Sequence, residues 1–210
     1  MIGANFALFL LAALIIAAVP GPGIFYVAAR TLSGGRKAGI ASTLGTALGG
    51  LVHVIAGGMG ISAIILASAQ LFTAFKLGGA IYLVWLGIKT FRDAGHEPAA
   101  SMEPAGAQLA FRDGVVVEAL NPKTAAFFLA FIPQFIDPTA GQPAIQFMTL
   151  GLVSVTLNTL ADVIVVMTAS KVRSSLARKP HWVRRLRQGS GFFIAGLGIS
   201  LALTRRPVAS

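Results

Sequence analysis

Apolar residues run along the 210-residue chain in long stretches, separated by short polar segments that are often basic. A membrane-spanning helix needs about 20 mostly apolar residues, and six stretches approach or exceed that length. The pattern therefore predicts six spanning helices, over residues 4–29, 40–66, 69–91, 113–135, 144–170 and 189–204.

The composition agrees with a membrane protein, because 55% of the residues are apolar and only 11% are charged. A soluble domain of this length would need more polar surface. The net charge of +10 does not indicate a nucleic-acid partner, because the basic residues lie in clusters between apolar stretches. The chain has no cysteine, which excludes disulfides and thiolate metal sites, and we predict no metal or other cofactor.

The basic residues also predict the orientation of the spans. Thirteen of the 17 Lys and Arg residues lie in segments 30–39, 89–112 and 171–188, which the six spans place on one side of the membrane. An excess of Lys and Arg marks the cytoplasmic side. We therefore expect a multi-pass membrane protein whose two termini both face outward, away from the cytoplasm.

The first and fourth predicted spans each contain a proline motif, PGPG and NPK, about half the chain apart. A proline within a helix costs about 3 kcal/mol, and backbone groups without partners in hydrocarbon cost several kcal/mol each. A simple kink would explain one proline, but two prolines with glycines favour breaks that line a cavity. The motifs supply seven candidate residues for substrate binding or gating: Pro20, Gly21, Pro22, Gly23, Asn121, Pro122 and Lys123.

Six spans divide into three and three, and an odd number per half inverts the second half relative to the first. The predicted fold is an all-α membrane protein with six transmembrane helices in a 3+3 inverted repeat, in which helices 1 and 4 are broken. Residues 1–91 and 113–210 would form the repeats, and 92–112 a cytoplasmic linker, within one membrane domain.

Ionisable residues inside spans are candidate functional residues by default. Lys123 could attract a substrate carboxylate or pair with an internal acid. Asp162 could bind a substrate ammonium or carry a coupling proton, and Asn158 lies one turn earlier on the same helical face. A purely structural Lys123–Asp162 salt bridge remains an alternative. Glu118 lies nearer the predicted cytoplasmic end, where an interfacial position is expected.

A stripe of small residues, with Gly45 and Gly49 four positions apart, leads to His53 in the second predicted span. Such a stripe predicts close helix packing, either within one chain or between two chains of a homodimer. His53 is a second candidate for proton coupling.

Several segments together resemble a known family. PGPG at 20–23, the glycine pattern of 34–53, the segment 76–92, and above all FRDGVVVEALNPKTAAFFLAFIPQF at 111–135 are similar to the LysE/RhtB superfamily of amino-acid exporters. The resemblance implies a secondary active transporter that exports amino acids or related small metabolites by proton antiport, and not an enzyme. The expected partners are a small-molecule substrate, protons and the lipid bilayer. The sequence contains no GxxxxGK[ST] phosphate-binding loop.

Two alternatives from other classes remain. A transporter of a metal ion or another small solute would use the same architecture, although a metal would require more acids or histidines in the spans. A membrane scaffold or an intramembrane enzyme is the other alternative, but the sequence shows no HExxH motif or comparable catalytic pattern.

Overall fold

The computed structural model describes residues 2–67, 69–92 and 106–176, and separate positions between 185 and 203. Within these residues all regular secondary structure is helical. In chain order the α-helices are α1 (Ile2–Ala18), α2 (Pro22–Ala67), α3 (Ala69–Arg92), α4 (Ala107–Ala119), α5 (Pro122–Ala126) and α6 (Pro143–Leu176). Half of the predicted sixth span and most of the predicted linker lie outside the described residues.

Within the described residues, three helical segments each include a stretch long and apolar enough to cross a membrane: Pro22–Gly60, which contains the turn at Gly35 described below, Ala107–Phe135 and Pro143–Lys171. Two shorter apolar helical segments are Phe6–Ala18 and Ala80–Lys89. Large apolar side chains such as Leu8, Leu48 and Ile164 are exposed, as expected where a helix faces lipid rather than water. The predicted all-α membrane class is confirmed.

The two predicted helix breaks are present. Helix α1 ends at Ala18 and α2 begins at Pro22, while α4 ends at Ala119 and α5 begins at Pro122. In each case a proline starts the next helix, a position that suits its fixed φ and its missing N–H. The breaks in the first and fourth predicted spans therefore follow directly from the local sequence.

The structure corrects the predicted loop over residues 30–39. Helix α2 departs from helical geometry at Gly35, where φ is 75° and ψ is −172°. A Cβ on Gly39 would contact the side chain of Thr31, although eight residues of straight helix would separate them by about 12 Å. The chain thus reverses direction at Gly35, which has no Cβ to oppose a positive φ. Helix continues on both sides of this turn, in arms 22–34 and 36–67.

The fourth predicted span begins earlier and is less regular than expected. Residues 107–112, predicted as the end of the linker, already belong to α4. After α5 the chain continues as one π-helical turn, Phe127–Phe131, and a 3₁₀ turn, Ile132–Phe135. Phe128 and Ile132 of these turns are buried, in a cluster with Phe9 of α1 and Phe147 of α6. The irregular segment is therefore held by packing from both halves of the chain.

The small-residue stripe packs inside the chain. A Cβ added to Gly45 would meet the carbonyl oxygen of Phe111, and one added to Gly49 would lie 2.6 Å from the carbonyl oxygen of Val115. The long arm of α2 therefore lies against the backbone of α4. Because this face is already buried within one chain, a homodimer would need a different surface.

Candidate functional site at the two helix breaks

The first break leaves a carbonyl group without its helical partner, and Lys123 supplies a donor. Pro20 has no N–H, so the carbonyl of Ile16, four residues earlier, cannot form its helical hydrogen bond. The Lys123 ammonium donates to the carbonyl oxygens of Ile16 at 3.0 Å and of Val19 at 2.9 Å. Its side chain is 4% exposed. A residue of the second break thus stabilises the first.

The second break also leaves a carbonyl group without its helical partner. Pro122 leaves the carbonyl of Glu118 without its helical partner, and this oxygen accepts instead from the Asn121 backbone N–H at 3.0 Å. The His53 Nε2 atom also lies 2.9 Å from the Glu118 carbonyl oxygen, a contact that requires Nε2 to carry the hydrogen. The Asn121 side chain accepts from the Lys123 N–H and so caps α5. His53, a candidate for proton coupling, therefore contacts the backbone of the second break.

Gly21 and Gly23 allow the two breaks to touch. A Cβ on Gly21 would lie 3.0 Å from the Cδ and Cε atoms of Lys123, and a Cβ on Gly23 would lie 2.5 Å from Glu118 Oε2. The first clash would involve a flexible side chain, whereas the second would involve a carboxylate held by two hydrogen bonds. The glycines of PGPG are therefore required by contact with the opposite break.

These contacts predict that the two glycine substitutions lower transport to different extents. Gly23→Ala should abolish transport or lower it severely, because a methyl group there must displace the Glu118 carboxylate. Gly21→Ala should have a smaller effect, because the Lys123 methylene groups can shift by a few tenths of an ångström. Gly78→Ala is the matched control, since no described atom lies within 4 Å of a Cβ at that position. Equal activity of the three variants in a transport assay would contradict this geometry.

A small polar cavity lies between the breaks and helix α6. Its volume is ≈ 20 Å³, enough for about one water molecule. The lining includes five of the predicted site residues: Gly23, Asn121, Lys123, Asn158 and Asp162. Pro20, Gly21, Pro22, Pro122 and His53 support the breaks but do not line this cavity.

Asp162 enters the cavity from α6 and is 5% exposed. Its Oδ2 atom accepts a hydrogen bond of 2.8 Å from the hydroxyl of Thr46 on α2. Asp162 and Lys123 both line the cavity, but in the described part of the chain no ion pair joins them. The alternative of a structural Lys123–Asp162 salt bridge is therefore wrong for this conformation.

The predicted interfacial position of Glu118 is also wrong. Its side chain is 8% exposed and lines the cavity. The carboxylate accepts from the Thr124 hydroxyl at 2.6 Å and from the Asn121 side-chain amide at 2.9 Å. Because α4 ends one residue later, at Ala119, Glu118 lies at the break rather than in the middle of a continuous helix.

Thr46 and Thr124, which the sequence prediction omitted, also line the cavity. A threonine in a helix gives no distinctive sequence signal, because its hydroxyl commonly bonds a backbone carbonyl of the preceding turn. The nearness of Thr46 to Asp162 depends on how α2 packs against α6, and a single sequence does not encode that pairing visibly.

A second polar cluster joins α2 to α4 about two turns from the cavity. The Arg30 guanidinium forms an ion pair of 2.6 Å with Asp113 and donates from Nε to the Tyr26 hydroxyl at 3.1 Å. Tyr26 in turn donates to the carbonyl oxygen of Ala110 at 2.8 Å. We call these four residues the Arg30 cluster. It lies toward the Gly35 turn, on the side predicted to be cytoplasmic.

Apolar helices interrupted around a buried polar cavity are typical of membrane proteins that bind a solute between their helices. The family described as LysE type translocator matches residues 14–205. The chain belongs to this family, and it is a membrane translocator, not an enzyme.

The individual proteins to which the chain is similar are also named as membrane or efflux proteins. The chain is 33% identical to an uncharacterized membrane protein of Vibrio cholerae, over 94% of this chain and 96% of the relative. It is 34% identical to the leucine efflux protein of Klebsiella pneumoniae, over 70% and 71% of the two chains. It is 27% identical to the homoserine/homoserine lactone efflux protein of Salmonella typhimurium, over 94% and 95%. No solved structure matches the chain.

Proposed function

We propose that the protein is a secondary active exporter of amino acids or closely related small metabolites, driven by proton antiport across the bacterial inner membrane. The observation that carries the proposal is the pair of facing helix breaks, with a buried carboxylate in the cavity beside them. The names of the relatives, leucine efflux and homoserine/homoserine lactone efflux, support the direction of transport and the substrate class.

The architecture we propose has six spans in a 3+3 inverted repeat, with residues 1–91 and 113–210 as the repeats and 92–112 as the cytoplasmic linker. Both termini lie in the periplasm. The breaks in the first and fourth spans support this arrangement, because inverted repeats place discontinuous helices at matching positions. Pro20 and Pro122 occupy such matching positions, and Lys123 of the second break contacts the first.

The small cavity volume supports alternating access. A space of ≈ 20 Å³ does not admit an amino acid, so helices must separate before a substrate can bind. The Arg30 cluster would close the cytoplasmic side in this conformation. Gly35 connects the two arms of α2 and is a natural pivot, since glycine accommodates large changes of φ and ψ.

Asp162 is the proposed coupling residue. It is buried, it lies in the cavity, and a carboxyl group can carry either a proton or a bound ammonium, but not both at once. Competition between the two for Asp162 would produce antiport: substrate leaves as the proton arrives, and the proton leaves on the cytoplasmic side as the next substrate binds.

Efflux from intact cells tests the proposed function directly. Cells that overproduce the protein are loaded with each of a panel of radiolabelled amino acids, and release is compared with cells that produce Asp162→Asn. We expect faster release of at least one amino acid, dependent on the proton gradient and absent in the variant. Identical release of the whole panel from both kinds of cell would contradict the proposal.

Breaking the Arg30 cluster should expose the cavity to the cytoplasm. Asp113→Ala removes the ion pair, and a loss of about 1 kcal/mol from the closed state raises the open fraction about fivefold. Because the chain has no cysteine, Ile24→Cys places a unique thiol in the cavity lining. Labelling of this thiol by a membrane-impermeant maleimide, applied to inside-out vesicles, should accelerate about as much as the open fraction rises.

Arg112→Ala is the matched control for this measurement, because it removes an exposed charge from the position next to Asp113. Its labelling rate should equal that of the parent Ile24→Cys protein. If Asp113→Ala instead accelerated labelling only in right-side-out vesicles, the cluster would close the periplasmic side and the proposed orientation would be wrong.

A further inference from the structure

Most side-chain hydrogen-bond donors of the cavity lining are in use. The three threonine hydroxyls that line it all donate to acceptors of the chain: Thr46 to Asp162 or the Thr43 carbonyl, Thr124 to Glu118, and Thr159 to the Val155 carbonyl. Two N–H groups of Lys123 are bound to carbonyls of the first break. A ligand could use these five donors only by breaking contacts within the chain.

The amide side chains of the lining also donate hydrogen bonds to acceptors within the chain. Asn121 donates to Glu118 Oε2 at 2.9 Å, and Asn158 donates to the Ser154 carbonyl at 2.9 Å. One N–H on each amide and the third N–H of Lys123 are the remaining side-chain donors. They can serve a neutral carbonyl oxygen of a ligand, and the one cation among the lining residues, Lys123, is already bound to the first break.

Two side-chain acceptors of the lining also remain available, and they lie next to each other on α6. Thr46 bonds Oδ2 of Asp162, and within the described residues no hydrogen bond reaches the other carboxylate oxygen, Oδ1. The side-chain oxygen of Asn158, one helical turn away, likewise receives none from these residues. Both residues line the cavity from the same face of α6. An ammonium group has three donors and no acceptor, so it complements this pair of oxygens.

The charges favour the same ligand. The lining contains two carboxylates, Glu118 and Asp162, and one ammonium, that of Lys123. Both oxygens of Glu118 are occupied, and the Lys123 ammonium is bound to the first break, so Asp162 is the charged group whose interactions are least complete. A cationic ligand would complete them.

We propose that the cavity recognises the ammonium group of its substrate through Asp162 and Asn158, and that a free substrate carboxylate is dispensable. This inference rests on the proposed function and narrows it. The substrate class becomes primary amines with an α-carbonyl group, which includes amino-acid amides, esters and lactones beside the amino acids themselves. N-acylated amino acids, which keep the carboxylate and lose the charge on nitrogen, are excluded.

Binding to the purified, detergent-solubilised full chain tests this without requiring transport. Thermal shifts are measured with leucine, leucinamide and N-acetyl-leucine, and in parallel with the same derivatives of homoserine, homoserine lactone included. The assay is run at pH 6.5, where an ordinary α-amino group with a pKa of about 8 is protonated. We expect the amide or lactone to stabilise the protein at concentrations within about tenfold of the parent amino acid, and the N-acetyl compound not to stabilise it.

Two variants give the residue assignment its own test. Asp162→Asn and Asn158→Leu should each lose the shift produced by the amide, while Asp137→Asn, an exposed carboxylate in the loop before α6, should keep it. Stabilisation by N-acetyl-leucine but not leucinamide would overturn the inference while leaving amino-acid export intact. If radiolabelled efflux and thermal shifts were both negative for every amino acid of the panel, the proposed function would fail, and this inference with it.

Discussion

Asp162→Asn should abolish export driven by a pH gradient while leaving the protein folded. Asparagine has nearly the same shape as aspartate and can still accept the hydrogen bond from Thr46, but it can neither carry a proton nor balance an ammonium charge. A positioned group that transfers a proton commonly contributes about 100-fold or more to a rate, and we expect a loss of that size. The measurement is substrate flux in proteoliposomes with an imposed pH gradient.

Asp137→Asn is the matched control. Asp137 lies in the loop between the fourth and fifth predicted spans, is exposed, and accepts hydrogen bonds from the Thr139 hydroxyl and backbone N–H. The hydroxyl bond is the main cause that lowers the pKa of Asp137, so this carboxylate is ionised at the pH of the assay. Its neutralisation should leave the flux unchanged. If Asp162→Asn transported as well as Asp137→Asn, with the same dependence on the gradient, Asp162 would have no part in coupling.

The helix breaks were predictable from the sequence because their cause is local. Pro20 and Pro122 lack an N–H wherever the chain places them, and in an apolar span the freed carbonyl must find another partner. The position of Asp162 was also predictable, since an isolated carboxylate in an apolar helix is stable only where polar groups surround it. The sequence therefore predicted which elements build the site.

The hydrogen-bond partners of the freed carbonyl groups were less predictable. The rule that a proline frees the carbonyl four residues earlier identifies Ile16 and the Glu118 backbone, but nothing local indicates that Lys123 and His53 reach them. The sequence analysis expected Lys123 to attract a substrate carboxylate or to pair with an internal acid, because it considered the lysine charge without the carbonyls of the first break. Those contacts arise from tertiary packing between the two halves of the chain.

Glu118 shows how a locally reasonable interpretation fails. Counted along a continuous helix, it lies toward the predicted cytoplasmic end of the fourth span and suggests an interface. The helix stops one residue later, and the chain places the carboxylate against Gly23, where glycine is the residue that leaves room for it. The depth of a residue in a broken helix therefore depends on the break as much as on its sequence position.

Lys123→Met should destabilise the whole protein rather than weaken substrate binding alone. Methionine matches the length of lysine but has no N–H, so the Ile16 and Val19 carbonyls would lose the donor that they share. An unpaired buried polar group costs about 1–3 kcal/mol, and two such groups should lower the Tm by roughly 10 °C in a protein of this size. Thermal unfolding of the purified protein in detergent, without substrate, measures this effect. An unchanged Tm combined with weaker substrate binding would instead assign Lys123 to the substrate carboxylate.

A second substitution separates loss of this hydrogen bond from general damage to the core. Pro20→Ala restores a backbone N–H four residues after Ile16, which can complete the helical bond that Lys123 replaces. The double variant Pro20→Ala/Lys123→Met should therefore be more stable than Lys123→Met alone, a coupling that a double-mutant cycle measures. Transport should not return, because the repaired helix would fill the break from which the cavity is built. Additive losses of stability in the double variant would show that the lysine and the first proline act independently.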